Sequence, residues 1–232
     1  RRYGPLEFLP YKGCDITCVG AVKKKLYGFK YDPNVYKINR VGETFEVNKI
    51  KNFGNWLDTA LLNKYLSIEG KGCRLSFKMS KRGHYQIGFT SLTKEEFKPY
   101  YADADYAQGQ MDYWLYLHRA GTMNSYRITA RNGWTSTSSS GTYNEGTTTM
   151  SLEMKRRPGS NTFIDFTIKI NGVKNTTLSK ISEGNYSLFK NKGLEDHVGV
   201  VMVTKIAPIF NLYDGTGNGY GKITDITFEP IT

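Results

Sequence analysis

Apolar and polar residues alternate with a period of two in most segments of this chain that show a regular pattern. In residues 74–79 (RLSFKM) the alternation places Leu75, Phe77 and Met79 on one side. Alternation of this kind is typical of a β-strand with one buried face, and strong helical periodicity is scarce. The sequence therefore predicts an all-β fold with antiparallel strands. The same pattern recurs in segments 85–89, 126–130, 150–154, 164–170 and 223–228.

Three segments carry further signals for strands and turns. Asn171-Gly172 follows the segment 164–170 and predicts a tight hairpin turn into Val173, because both residues tolerate positive φ. The continuous apolar run from Val198 to Val203 predicts a strand that is covered on both faces. Residues 136–146 (STSSSGTYNEG) predict a polar hairpin loop.

Helical signals are confined to two short segments. Residues 93–97 (TKEEF) begin with a capping box and predict one helical turn before Pro99. Residues 56–62 (WLDTALL) fit either a helix or the entry to a strand. The chain thus combines many strands with one or two short helical turns.

Length and composition favour a single domain. The chain has 232 residues, of which 39% are hydrophobic and 14% aromatic, and it contains 24 glycines. These values are typical of a globular β-protein with many turns, and β-sandwiches of this size form one domain. We therefore predict one antiparallel β-sandwich over residues 1–232, in which residues 1–70 are the least readable part.

The net charge of +11 favours an anionic partner. The basic residues are scattered, and the chain has no arginine-rich arm, zinc-finger spacing or RNA-binding signature, so nucleic acid is a disfavoured partner. No run of eighteen apolar residues occurs, so the sequence predicts no membrane span. An acidic glycan remains a candidate ligand.

Several segments together resemble the concanavalin-A-like jelly roll that is shared by many lectins and laminin-G-like modules. The resemblance covers roughly residues 70–229 and is a pattern of strands. It implies binding of a glycan or a protein by analogy of fold. The segments are LSFKM (75–79), YQIGFTS (85–91), YWLYL (113–117), SYRITARNGW (125–134), FIDFTIKINGV (163–173) and DHVGVVMV (196–203).

A fainter resemblance links residues 75–134 to the animal module named after farnesoic acid O-methyltransferase. That module has a Tyr-rich strand after a variable loop, followed by a segment similar to Ser-x-x-Arg. The resemblance does not imply catalysis, because this chain has no glycine-rich fingerprint for a nucleotide-type cofactor.

The stretch YYADADYAQGQMD contains three aspartates, Asp103, Asp105 and Asp112. Carboxylate oxygens are the ligands that calcium prefers, so these residues are candidates for a calcium site. Their spacing does not match the helix-loop-helix calcium loop, which needs a glycine at its sixth position and a glutamate at its twelfth. The alternative is a solvated acidic loop between two strands.

The next residues, YWLYLH, predict an aromatic strand. Trp114, Tyr116 and His118 share one face of that strand, and sugars stack their apolar faces on flat aromatic rings. The alternative is that this face forms a second buried layer. On the following segment, Arg127, Arg131 and Trp134 extend the same predicted surface and would suit an anionic glycan.

Two sequons slightly favour an extracellular or cell-surface protein. In that location Cys73 could pair with Cys14 or Cys18, and the alternative is three ordinary thiols. Asn175 and Asn185 stand in acceptor sequons for N-glycosylation.

Signals for catalysis are weak. Asp225 and Glu229 have the spacing of two carboxylates on one strand face, as a glycosidase would need, and outward-facing acids on a strand look the same. His118 among tyrosines is a further candidate, although a lone strand histidine is usually structural. The glycine-dense segment 214–221 predicts a flexible hairpin loop that lacks the ending of a phosphate loop.

We therefore predict a non-catalytic, lectin-like, extracellular module for carbohydrate, with acidic glycans favoured. One alternative is a structural protein of a surface filament or coat, in which homo-oligomers form the assembly. The other is an enzyme that cleaves polysaccharides on a jelly-roll fold. Calcium is the one cofactor that the residues suggest.

Overall fold

Two large antiparallel sheets form the body of the protein. The computed structural model describes residues 28–51, 56–79, 84–119, 125–132, 135–142, 148–176, 178, 186–194, 197–213 and 221–232. Within these residues, every strand pairing is antiparallel, and the predicted all-β sandwich is confirmed.

The first sheet, which we call sheet 1, contains eight strands. In spatial order they are β1 (Phe29–Lys30), β4 (Ala60–Leu62), β17 (Lys205–Tyr213), β7 (His84–Thr90), β8 (Tyr113–Arg119), β9 (Ser125–Asn132) and β10 (Thr135–Thr142), with β5 (Leu66–Ser67) also paired to β17.

The opposing sheet, sheet 2, also contains eight strands. In spatial order they are β13 (Val173–Lys174), β12 (Phe163–Ile170), β11 (Thr149–Arg156), β6 (Cys73–Met79), β18 (Lys222–Pro230), β3 (Thr44–Lys49) and β2 (Tyr36–Val41), with β14 (Tyr186–Ser187) also paired to β12.

Two smaller elements lie outside these sheets. Strands β15 (Phe189–Leu194) and β16 (His197–Met202) pair with each other as a two-stranded ribbon. Helix α1 (Ala104–Gly109) follows Asp103, whose side chain accepts a hydrogen bond from the backbone N–H of Asp105. Within the described residues, no helix has the length and apolar character that crossing a membrane requires.

The main core lies between the two sheets and is built by the residues whose alternation is visible in the sequence. The predicted inward residues of β6, β7, β11 and β12 are buried there, apart from the partly buried Ile170 at the end of β12, because each of these strands has one face toward the opposite sheet. These residues are Leu75, Phe77, Met79, Tyr85, Ile87, Phe89, Met150, Leu152, Met154, Ile164, Phe166 and Ile168.

The run Val198 to Val203 forms a strand as predicted, but the prediction that both its faces are covered is wrong. Val200 is 70% exposed, because among the described residues β16 pairs with β15 alone. A strand that is covered on both faces is β17. In β17, Ile206 through Leu212 are buried without interruption. Pro208 is tolerated there because it lies between the positions that pair with β5 and those that pair with β4.

Beyond Ala60, the first residue of β4, two side chains from sheet 2 bond to the backbone of β17 in place of a neighbouring strand. The Tyr36 hydroxyl accepts from the backbone N–H of Leu212 at 3.0 Å and donates to the carbonyl of Asp58 at 2.7 Å. Lys49 is buried, and its ammonium donates to the carbonyl of Leu212 at 2.8 Å. The backbone of a central strand in one sheet is therefore completed by side chains of the other.

Local turn chemistry follows the sequence at two places. Asn171 and Gly172 both have positive φ, 50° and 80°, as the tight turn requires. The capping box also forms, since the Thr93 N–H donates to Glu96 and the Glu96 N–H donates to the Thr93 hydroxyl.

Two further predictions need correction, and one open alternative is resolved. Residues 136–142 of the expected polar loop 136–146 belong to strand β10, because all eight residues of that strand pair with β9, and residues 143–146 lie outside the described residues. Of the two alternatives for residues 56–62, the entry to a strand holds, since they lead into β4. The stretch expected as an acidic loop contains α1, since Asp103 supplies the hydrogen bond that begins a helix.

Cys73 is a free, buried thiol on β6, whereas Cys14 and Cys18 lie outside the described residues. Burial raises the pKa of the Cys73 thiol to about 12, since the low-dielectric interior disfavours the thiolate.

We expect Tyr36→Phe to lower the free energy of unfolding by about 1–3 kcal/mol, because it leaves buried backbone groups of Leu212 and Asp58 without a partner. Tyr186→Phe is the matched control. Its hydroxyl is equally buried but has no hydrogen-bond partner among the described residues, so its loss should be neutral. Urea unfolding measures both variants, and equal destabilisation would contradict the role of Tyr36.

In a variant carrying Cys14→Ser and Cys18→Ser, Cys73 is the only thiol. At pH 8 the thiolate fraction is on the order of one in ten thousand for a pKa of about 12, so native protein should react very slowly with a disulfide reagent. Reaction should accelerate in urea. A fast reaction of the native protein would show that the thiol is not buried.

Candidate functional site

The face of sheet 1 that points away from the main core is divided into a covered part and a more open part. Strand alternation places Ala207, Ile209, Asn211 and Tyr213 of β17 on this outer face. On β7 the corresponding residues are His84, Gln86, Gly88 and Thr90, and on β8 they include Trp114 and Tyr116.

The covered part is a second buried layer centred on Trp114. The indole is 1% exposed and packs in an apolar cluster with Leu61, Phe97, Met111, Ala207 and Ile209. Phe97 and Met111 belong to the segment 91–112, which covers this part of the sheet and is called the lid below. Trp114 therefore cannot stack on a ligand, and its prediction as a sugar-binding residue is corrected.

Gly88 makes room for this tryptophan on the neighbouring strand. It pairs directly with Trp114 across β7 and β8, and a Cβ atom built on Gly88 would collide with the Tyr113 carbonyl and the Trp114 Cβ. Only glycine allows this close approach.

The open part carries four half-buried aromatic rings, of which Trp56 is the central one and contacts the other three. The centroid of the Trp56 ring lies 5.2 Å from that of Tyr213, 5.5 Å from that of Tyr116 and 6.3 Å from that of His84. His84 and Tyr213 also contact each other edge-on at 6.0 Å. We call these rings, together with Gln86 and Asn211 beneath them, the aromatic–amide cluster.

The two amides of this cluster are directly paired on β7 and β17 and almost fully buried. The Asn211 Nδ2 donates to the Trp56 carbonyl at 2.8 Å, and the Gln86 Nε2 donates to the Gln108 Oε1 at 3.1 Å. The Asn211 Oδ1 and Gln86 Oε1 have no hydrogen-bond partner among the described residues. Two carbonyl oxygens that need donors therefore lie beneath the rings.

The orientation of Asn211 is settled by its partner. A carbonyl can only accept a hydrogen bond, so the amide nitrogen must point to Trp56 and the oxygen must point elsewhere. Trp56 has a φ of 58°, a left-handed conformation that is costly for a bulky residue. The hydrogen bond from Asn211 holds this strained backbone, and with it the ring, over the sheet.

For His118, Arg127 and Arg131, which are also predicted ligand residues, the structure describes the backbone position only. Their register places Arg127 opposite His118 and Arg131 opposite Trp114 on β9 and β8. Trp134 lies outside the described residues.

The three aspartates do not converge. Asp103 begins α1, and both Asp103 and Asp105 are exposed. Asp112 is buried and accepts hydrogen bonds from the Ser91 N–H at 2.8 Å and the Ser91 hydroxyl at 2.6 Å. Among the described residues, no group of three or more His, Cys, Asp or Glu side chains could hold a metal ion.

Asp225 and Glu229 do not form a catalytic pair. Asp225 is the left-handed residue (φ 54°) of a β-bulge in β18, which interrupts the strand alternation. Its carboxylate pairs with Lys78 at 3.3 Å, and Glu229 pairs with Lys64 at 3.7 Å. Both side chains are more than half exposed, so these are surface ion pairs.

A surface depression at residues 156–161 is a weaker candidate. The Arg156 guanidinium is held by Glu69 and by the Asn161 Oδ1, and Arg157 pairs with Asp165. These contacts satisfy the two arginines within the protein.

Of the two sequons, Asn175 is half-buried at the start of a short turn, where its Oδ1 accepts from the Leu178 N–H at 2.9 Å. Asn185 lies outside the described residues.

Sequence reasoning found one ring of the cluster, Tyr116, and missed the others. His84 and Gln86 were visible as the polar positions of the alternating strand β7. Asn211 and Tyr213 were hidden because β17 is covered on both faces for most of its length and shows no alternation. Trp56 lies in the N-terminal region, where the pattern is least regular.

Comparison with known proteins concerns the fold. No family model and no curated protein matches the chain. Among solved structures, a legume lectin-like domain from Entamoeba histolytica is 8% identical with a TM-score of 0.46, covering 89% of this chain and 90% of that chain. These values describe similarity of architecture alone.

Two further solved structures have the same identity of 8%. A carbohydrate binding module, CBM66, from Bacillus subtilis has a TM-score of 0.37 and covers 84% of this chain and 91% of that chain. The Emp47p carbohydrate recognition domain has a TM-score of 0.39 and covers 86% and 90%.

We expect Trp114→Ala to lower the free energy of unfolding by about 3–5 kcal/mol, as for other buried aromatic residues. Trp56→Ala should lower the free energy of unfolding by about half of that amount or less, because the Trp56 ring is only partly removed from water. Thermal and urea unfolding compare the two variants. An equal loss of unfolding free energy in both variants would mean that Trp56 is also a core residue.

Proposed function

We propose that this chain is a non-catalytic carbohydrate-binding module and that the aromatic–amide cluster is its binding site. One observation carries the proposal. Two buried amide oxygens that no donor of the described residues contacts lie on the same outer face of sheet 1 as four half-exposed rings.

The rings supply the apolar half of sugar recognition. A pyranose has a flat face of C–H groups that packs on an aromatic ring, and Trp56 and Tyr213 are partly exposed. Because Trp56 is held by the hydrogen bond from Asn211, its ring loses little conformational freedom on binding.

The amides supply the polar half. The Gln86 Oε1 and Asn211 Oδ1 accept hydrogen bonds, so a matching ligand presents donors, and the hydroxyls of a sugar are such donors. Leaving a buried acceptor without a partner costs about 1–3 kcal/mol, so a sugar hydroxyl that donates to one of these oxygens would recover up to that amount once the groups above shift to admit it.

The charge of the chain supports an acidic glycan as the preferred class. A net charge of +11 attracts anionic polymers at long range, and β9 places two arginines next to β8. The rings and amides of the cluster would then bind the sugar ring itself, while the surrounding basic residues would raise the association rate. An extracellular or cell-surface location is part of this proposal.

Binding is tested on a glycan array, followed by titration calorimetry with the best ligand. We expect Trp56→Ala and Tyr213→Ala to weaken binding by about tenfold or more, in line with the loss of an aromatic stacking contact. Phe163→Ala is the matched control, since Phe163 is also half-buried but belongs to sheet 2. Equal binding by all three variants would rule out the cluster.

A second variant separates binding from stability. Gln86→Leu removes a buried oxygen that has no partner among the described residues, together with the hydrogen bond from its Nε2 to the partly exposed Gln108, so the free energy of unfolding should change by no more than about 1 kcal/mol while binding falls. The array is run at low and high salt and with and without calcium. If no glycan binds under any of these conditions, the proposed function is overturned. Binding that disappears at high salt in all variants alike would mean that net charge alone attracts the ligand.

A further inference from the structure

The ribbon β15–β16 exposes a concentration of apolar side chains. Among the described residues, four of the large hydrophobic side chains that are at least one-third exposed belong to this ribbon. They are Phe189 at 46%, Val200 at 70%, Val201 at 42% and Met202 at 40%. Isolated exposed hydrophobic residues are ordinary, but a contiguous group of them marks a surface for contact.

The apolar side chains are concentrated on one face of the ribbon. Phe189 pairs with Met202, two positions along from the pair of Asn191 and Val200, so Phe189, Val200 and Met202 share one face. Val201 lies on the opposite face and pairs with Lys190, whose ammonium lies over the Tyr113 ring at 4.1 Å, so this face is the one toward the body of the protein. Val201 is 42% exposed, so this face is only partly covered there.

We propose that this ribbon is a wedge that inserts into the interface of an anionic lipid membrane. A lipid interface can take up the exposed apolar face of the ribbon, while charged side chains beside it stay at the level of the headgroups. Apolar side chains that enter the region between headgroups and acyl chains gain free energy in proportion to the area they bury.

Charge favours anionic lipid over a second copy of this chain. Each chain carries a net charge of +11, so two copies repel each other, whereas anionic headgroups attract each of them. Lys205 is exposed directly after the ribbon, where it can reach the headgroups while the ribbon inserts.

Cosedimentation with vesicles tests the wedge without any sugar, so its result is independent of the proposed glycan site. The vesicles consist of phosphatidylcholine alone or of phosphatidylcholine with phosphatidylserine. We expect binding to the mixed vesicles, with about tenfold weaker binding by Val200→Asn, because it removes apolar burial and leaves the charge unchanged.

Val173→Asn is the matched control. Val173 is also 70% exposed but lies at the β12–β13 hairpin of sheet 2, so this variant should bind like the unaltered protein. Circular dichroism verifies that both variants remain folded.

Three outcomes would overturn the wedge. Equal weakening by Val200→Asn and Val173→Asn would show that no particular segment inserts. The absence of binding to either vesicle would exclude the lipid partner. Dimerisation in sedimentation velocity that Val200→Asn abolishes, without vesicle binding, would assign the ribbon to a second copy of the chain.

Discussion

The hydrogen bonds at the backbone of Leu212 hold the centre of this structure together. Strand β17 pairs along most of its length with β7, and on its other side its partners among the described residues are the short strands β4 and β5. Where β4 ends, the Tyr36 hydroxyl and the Lys49 ammonium cross from the opposite sheet and complete the bonds. A buried backbone group without such a partner would cost about 1–3 kcal/mol. These two side chains therefore keep the end of β17 in place between the sheets.

The same strand connects the core to the proposed site. Ala207 and Ile209 lie beneath the lid formed by residues 91–112, whereas Asn211 and Tyr213 lie beyond it, beside Trp56. Because Asn211 is buried and supports the backbone of Trp56, its replacement should affect both stability and binding. The rings above it are half-exposed, so their replacement should affect mainly binding.

Periodicity predicted the strands whose two faces have different surroundings. Strands β6, β7, β11 and β12 each turn one face to the core, so their apolar residues alternate and their inward side chains were predicted correctly. Strand β17 has no alternation because both faces are covered, and it was missed. The run from Val198 to Val203 looks the same in sequence, yet three of its side chains are exposed. An apolar run indicates a strand and does not reveal what covers it.

Trp114 and Tyr116 show where prediction from the sequence ends. Both belong to one aromatic strand and to one face of it, and by itself the sequence determined the β-sandwich class and the division of each alternating strand into two faces. Only the tertiary structure decided that Trp114 is buried and that Tyr116 joins the aromatic–amide cluster. The reason is physical: burial on the outer face depends on Phe97 and Trp56, which are distant in sequence and reach it through contacts that no local pattern records.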